Sequence, residues 1–178
     1  MSDASQERTR QRLLIAFVDF TLFNKQSERI SDTEIADTMD EYYTRVASAV
    51  KSAGGTVVKF IGDAVLIVFP ESAGDAGVRT LIELKPALDR FMAERNWECR
   101  LHVKAHFGEV VAGPFGPDGD KRFDIIGRAV NTAAMLKTDG ITLSAEAFEQ
   151  LSPDLRKRFA KKAPLNTYSL VDESRPDR

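Results

Sequence analysis

The chain has 178 residues, 43% hydrophobic and 29% charged, which suits one domain with a real core. Its net charge of −2 argues against a nucleic acid as main partner, since a phosphate backbone demands a basic face. A lone Cys99 excludes an intrachain disulfide and fits a reducing compartment. The apolar run Leu13–Val18 is too short to span a membrane, and no signal-peptide pattern opens the chain. The expectation is a cytoplasmic protein, complete without a membrane anchor.

Residues 1–10 are polar and read as a flexible lead-in. Gln11–Val18, almost wholly apolar after Arg12, predicts a central strand covered on both faces. Asp19–Glu28 mixes aromatic and polar residues and predicts a loop with a short helical turn. Ser31 and Glu34 form a capping-box pattern. Ile35, Met39, Tyr42, Val46 and Val50 then recur at helical spacing until Gly54-Gly55. Thr56–Ile61 and Ala64–Phe69 are apolar, β-branched runs separated by Gly62-Asp63, the pattern of a β-hairpin. A second helix is expected from about Ala73 to Glu94, kinked or divided at Pro86. Glu98–Phe107 alternates, with Cys99, Leu101, Val103 and Ala105 on one face and Arg100, His102, Lys104 and His106 on the other. Gly108-Glu109 reads as a turn into Val110–Ala112, and Gly113–Gly119 as a loop. Phe123–Ile126 predicts a short strand, Ala129–Lys137 a helix after Gly127, Ile141–Leu143 a strand, and Ser144 the cap of a short helix. Past the basic stretch Arg156–Lys162, Leu165–Val171 is strand-like, and residues 173–178 read as a flexible tail. The order β, long helix, β-hairpin, helix, β matches an α+β, ferredoxin-like (split βαβ) sheet with helices on one face, as one domain over residues 11–172.

Two acids stand at strand ends, Asp19 after the first strand and Asp63 at the hairpin tip. In a split βαβ sheet the first strand lies beside the hairpin, so both carboxylates can face one point. Singly, each acid merely ends a strand or makes a turn. Together, with nothing soft nearby, they suit Mg²⁺ and the phosphate oxygens it keeps in its shell. Lys59 is a charge inside an apolar strand and needs either a solvated edge or a partner.

Four segments then occur in order: F-V-D-F-T-L-F at 17–23, K-F-I-G-D-A at 59–64, H-F-G-E-V-V-A-G at 106–113 and F-D-I-I-G-R-A-V-N at 123–131. Together they resemble the catalytic domain of the class III nucleotidyl cyclases, the adenylate and guanylate cyclases, over roughly residues 13 to 170. The resemblance implies the nucleotide-cyclase type of ferredoxin-like fold, and roles residue by residue. Asp19 and Asp63 match two metal-binding aspartates, with Phe20 at the position whose backbone carbonyl joins them, for two Mg²⁺ or Mn²⁺ ions per site. Lys59 and Asp124 match the pair that recognises adenine. Guanylate cyclases tend to carry Glu and Cys there, so the pair favours ATP. Lysine donates to a ring nitrogen, and an ionised aspartate accepts from the exocyclic amine. Asn131 matches the residue that orients the ribose, and Lys162 the lysine that binds the phosphates. In this family the site forms between two subunits, metal ligands from one and base readers from the other, so the resemblance implies a homodimer. The implied reaction is attack of the ribose 3′-hydroxyl on the α-phosphorus of ATP, giving 3′,5′-cyclic AMP and pyrophosphate.

Two places depart from the family's pattern. Met135 stands four residues after Asn131, where the family has its transition-state arginine, and methionine offers no donor. Arg128, at the helix start, is the nearest cation by sequence and the expected substitute. In the first metal loop Leu22 and Asn24 stand where the family prefers Gly and Thr, and a glycine there would let backbone N–H groups approach phosphate. Two readings follow. One is an adenylate cyclase of low activity. The other is a catalytically impaired cyclase-homology domain that binds nucleotide or a partner in a regulatory role. Intact Asp19, Asp63, Lys59, Asp124 and Asn131 favour the first. A ferredoxin-like RNA-recognition module would need a basic, aromatic strand motif that is not found. The tip Ile61-Gly62-Asp63-Ala64 is unlike the G-G-D/E-E-F of diguanylate cyclases.

Overall fold

In the computed structural model of the chain, which describes residues 7–171, strand β1 (Thr9–Phe20) runs through the middle of one eight-stranded sheet. It begins inside the segment expected as a flexible lead-in, because Thr9 and Arg10 pair with Ala112 and Val111 of a later strand. The expected tail, residues 173–178, lies outside the described residues. A short helix α1 (Phe23–Ser27) follows, and then α2 (Asp32–Ser52). α2 starts where the capping pattern predicts: Ser31 Oγ accepts the Glu34 N–H at 3.2 Å. β2 (Thr56–Ile61) and β3 (Ala64–Pro70) form the hairpin, with Gly62 in the left-handed region its turn requires.

A 3₁₀ turn, Glu71–Ala73, leads into α3 (Gly74–Ala93). α3 runs on through Pro86 instead of dividing there. Pro86 is exposed, while Leu81, Ile82, Leu84, Leu88 and Phe91 bury both halves of the helix against the sheet. β4 (Leu101–Phe115) is one strand of 15 residues, so Gly108-Glu109 is not a turn. Gly108 pairs with Leu13, and Glu109 with Arg12. A Cβ at Gly108 would lie 2.6 Å from Ala129 Cβ, so this glycine allows a helix to lie close on the strand. Because β4 opens at Leu101, Cys99 is fully buried just ahead of the strand and not within it. There burial pushes its thiol up to about 11.

β5 (Arg122–Ile126), α4 (Arg128–Met135), β6 (Ile141–Ser144) and α5 (Ala145–Glu149) follow, with Ser144 capping α5 as expected. α4 stops short of Lys137. α6 (Pro153–Arg156) follows, the basic stretch holds β7 (Phe159–Lys162), and β8 (Thr167–Leu170), inside the expected strand-like segment, pairs with β6 and β7.

The strand order is β2-β3-β1-β4-β6-β8-β7, with β5 on the outer end of β4. Its first four strands are the antiparallel quartet of a split βαβ fold. α2 and α3 cover one face, on Leu14, Ala16, Val18, Ile67 and Phe69. On the opposite face the short α4 is added, where Ala129 and Ala133 pack with Leu13, Ile15, Leu66 and Val68. Cover on both faces is why β1 reads as a continuous apolar run. The second face is only partly covered. Among the described residues Phe60, Ile61, Phe123, Ile126 and Met135 are exposed, although Phe60 also stacks on Tyr43 of α2.

Candidate active site

Asp19 is the penultimate residue of β1 and stands opposite His102 of β4. The period of two puts it on the face of Leu13 and Ile15, away from α2 and α3. Asp63 comes to the same place from the hairpin tip, where its Oδ2 accepts the Phe20 N–H at 3.1 Å. Two tyrosines of α2 hold the tip there. Tyr42 Oη donates to the Asp63 carbonyl at 3.2 Å, and Tyr43 Oη to the Gly62 carbonyl at 2.5 Å. Tyr43 also stacks on Phe60, with ring centroids 4.1 Å apart.

Burial raises the Asp63 carboxyl above its ordinary value. The N–H groups of Phe20 and of Asp63 itself pull it back, and the nearby Asp19 charge adds to the rise. The two acids line an open cleft of about 490 Å³ together with Phe20, His102, Lys104 and Lys137. Burial keeps the His102 imidazole below its ordinary value, so it stands neutral at pH 7. Lys104 Nζ lies 3.1 Å from Asp19 Oδ2.

A hard divalent cation fits this donor set. The cleft offers carboxylate oxygens, no thiolate, and a half-buried pair of like charges that a cation would relieve. Among the described residues no three His, Cys, Asp or Glu side chains are grouped to hold a metal, so water and phosphate oxygens would complete a shell.

Lys59 and Asp124 meet elsewhere in the chain. Lys59 lies on β2 beside a bulge, Asp124 on β5, and Lys59 Nζ is 2.6 Å from Asp124 Oδ2. Asp124 Oδ1 accepts the Ile125 N–H at 2.8 Å, which fixes the carboxylate plane. Neither residue lines the acid cleft. Asn131 and Arg128 are exposed on α4, whose start is seated close to β4 because a Cβ at Gly127 would lie 3.2 Å from the Glu109 carbonyl. They too stand apart from the cleft. Met135, at the end of α4, is 81% exposed. Lys162 on β7 binds both oxygens of Asp139 at 2.9 Å and lowers that carboxyl. Asp139 follows Thr138, a residue of the cleft rim.

Leu22 has φ 58 and ψ 14, the left-handed backbone that glycine adopts freely. The loop after Asp19 thus keeps a glycine-like path although a bulky residue occupies it. Sequence reasoning missed Lys104, Tyr42 and Tyr43 as parts of the site. The alternation of β4 puts Lys104 on the face of His102, but its contact with Asp19 depends on cross-strand register.

Comparison with known proteins extends this picture. The family model described as the adenylate and guanylate cyclase catalytic domain matches residues 6–168. The chain is 29% identical to an adenylate cyclase of Anabaena cylindrica over 140 residues, covering 74% of this chain and 28% of that protein. It is 30% identical to an adenylate cyclase of Streptomyces coelicolor over 131 residues, covering 74% and 31%. The chain therefore spans about a third of the length of these curated relatives. The fold is similar to the solved adenylyl cyclase CyaB from P. aeruginosa, with a TM-score of 0.82, 22% identity and 95% and 98% of the two chains covered. It is also similar to the guanylyl cyclase Cya2, with a TM-score of 0.78, 19% identity and 94% and 96% covered. The fold is thus common to enzymes named for either nucleotide. A match across nearly the whole chain, on a split βαβ sheet of that kind, means that it belongs to the family of class III adenylate and guanylate cyclase catalytic domains.

Proposed function

We propose that this domain is an adenylate cyclase that converts ATP to 3′,5′-cyclic AMP and pyrophosphate at the interface of a homodimer. The observation that carries the reading is the Lys59–Asp124 pair at 2.6 Å, fixed on two strands and away from the acid cleft of the same chain. One ammonium and one carboxylate at that spacing complement the ring nitrogen and exocyclic amine of adenine, and each is lightly enough covered to exchange its partner for a base. The base readers and the acids lie apart within one chain. A second copy is what lets one nucleotide engage both sets. Exposed Phe60, Ile61, Phe123 and Ile126, close in sequence to Lys59 and Asp124, are the apolar surface such a dimer would bury.

In this reading Asp19, the Phe20 carbonyl and Asp63 hold Mg²⁺ or Mn²⁺. When bound, the metal supplies charge neutralisation for the triphosphate and Lewis-acid activation of the ribose hydroxyl. Asn131 orients the ribose, and Lys162 leaves Asp139 for the phosphates. Arg128 supplies the cation that Met135 cannot. The protein mainly positions groups and stabilises charge, as in other phosphoryl transfers.

The exposed Met135 favours a second reading, a domain that binds ATP or a partner in a regulatory role without turnover. One assay separates them. Purified protein with Mn²⁺ and either ATP or GTP yields cyclic AMP and little cyclic GMP if the first reading holds. Neither product, alongside metal-dependent ATP binding, selects the second.

A further inference from the structure

The acid cleft already contains a cation of the protein's own. Lys104 stands two residues beyond His102, the register partner of Asp19, so Lys104 and Asp19 form a cross-strand diagonal pair on one face. Their charged atoms are 3.1 Å apart. The Lys104 side chain is 19% exposed, against 43% for Lys59. Its charge is therefore held where solvent screens it less.

The carboxylate oxygens of the cleft are also partly committed. Asp19 Oδ2 takes the ammonium, and Asp63 Oδ2 takes the Phe20 N–H. Besides these carboxylates, only the Phe20 carbonyl, water and phosphate oxygens could serve a metal there, so an ammonium on Asp19 Oδ2 occupies one of few protein oxygens.

We propose that Lys104 is the resident counter-cation of Asp19 and stands in for one divalent ion, so that the cleft takes a single Mg²⁺ or Mn²⁺. An ammonium at Asp19 places positive charge where a second ion would sit, and like charges in a half-covered site repel with little screening. Lys104 therefore weakens metal binding to the free protein and sets the ion count at a bound nucleotide. Only that second effect rests on the cyclase reading.

The test is a Mn²⁺ titration followed by electron paramagnetic resonance on wild type, Lys104→Met and Lys104→Arg, first without nucleotide and then with α,β-methylene-ATP. Without nucleotide, Lys104→Met binds Mn²⁺ at least about tenfold more tightly than wild type, while Lys104→Arg, which keeps the charge, stays close to wild type. With the analogue, wild type holds one Mn²⁺ per bound nucleotide and Lys104→Met holds two. Equal affinities in wild type and Lys104→Met, or two ions in wild type, overturn the proposal. If the affinity shift appears but no protein binds the analogue, the cyclase reading fails and the role of Lys104 stands. Lys104→Gln gives a second uncharged variant should Lys104→Met fold poorly, and the wild-type count needs no variant.

Discussion

Asp63 is held by its neighbours in a position that disfavours its own charge. Its carboxyl in the folded chain lies above the ordinary value of 3.8, with burial as the main cause. A raised value means that the folded state holds the proton more firmly than the unfolded chain. That contribution to stability is complete below 3.8 and is lost as pH rises through the raised value, so at pH 7 the ionised group weakens the metal-free fold. Asp63→Asn keeps an oxygen for the Phe20 N–H and removes the charge. Thermal melts at pH 7 without metal should show it more stable than wild type, while product formation falls at least about 100-fold. Leu22 presents the opposite case, an uncharged residue on a strained backbone. Leu22→Gly relieves a left-handed conformation that costs about 1–2 kcal/mol and adds about 0.4–1 kcal/mol of unfolded-chain entropy, so urea titrations should show a net gain of roughly 0.5–1 kcal/mol, and no gain would mean that the loop is not strained. At Met135, an arginine should raise turnover at least about tenfold, a fraction of the ~10³ that such groups supply in phosphoryl transfer. An unchanged rate would mean that another cation already fills the place. The two acids and Lys59 were legible as residues because each charge interrupts or ends an apolar strand, whereas Asp124 was named only by the family resemblance. Lys104 was not, because a lysine on the polar side of an alternating strand looks solvated until its partner 85 residues away is known.

Among the elements, α4 is placed by absent side chains, as α3 is where Gly77 meets Phe69. Gly108 and Gly127 let it lie against β4, and Ala129 and Ala133 complete the contact. Gly108→Ala puts a methyl 2.6 Å from Ala129 Cβ. The helix must shift, at a cost of about 1–3 kcal/mol. Asn131 and Arg128 would shift with it. The expected result is a lower melting temperature together with a fall in turnover larger than the fall in nucleotide affinity. A loss of stability with unchanged turnover would show that α4 does not position the reaction. Locally, Gly108-Glu109 carries the signature of a turn. What made it strand was the pairing of β4 with twelve residues of β1, from Thr9 to Phe20, an interaction invisible to a reading that moves along one stretch at a time. Pro86 does not divide α3 for the same reason, since contacts on both sides of it hold the helix together.

For the whole molecule the decisive question is whether two chains share their sites, as proposed. In the proposed homodimer each site would take acids from one subunit and base readers from the other. Asp63→Asn and Lys59→Ala proteins should each be inactive alone. Mixed in equal amounts, they should recover about a quarter of wild-type activity, because half of randomly paired dimers are mixed and each mixed dimer has one intact site. Activity in size-fractionated monomer, or no recovery on mixing freely exchanging subunits, would contradict a shared site.

The sequence by itself determined the element order as far as α3, the hairpin with its acid tip, the capped start of α2 and the four ordered motifs that mark the family. These follow from short-range chemistry: apolar periodicity, turn residues, capping side chains and motif spacing all lie within a few residues of one another. Only the tertiary structure decided that β4 is a single strand, that α4 lies opposite α2 and α3, that Leu22 takes a glycine's backbone, and that Lys104 rests on Asp19. Each of those depends on strand register or on close approach between distant segments. Backbone pairing and steric fit set such contacts, and the same local sequence is compatible with several of them.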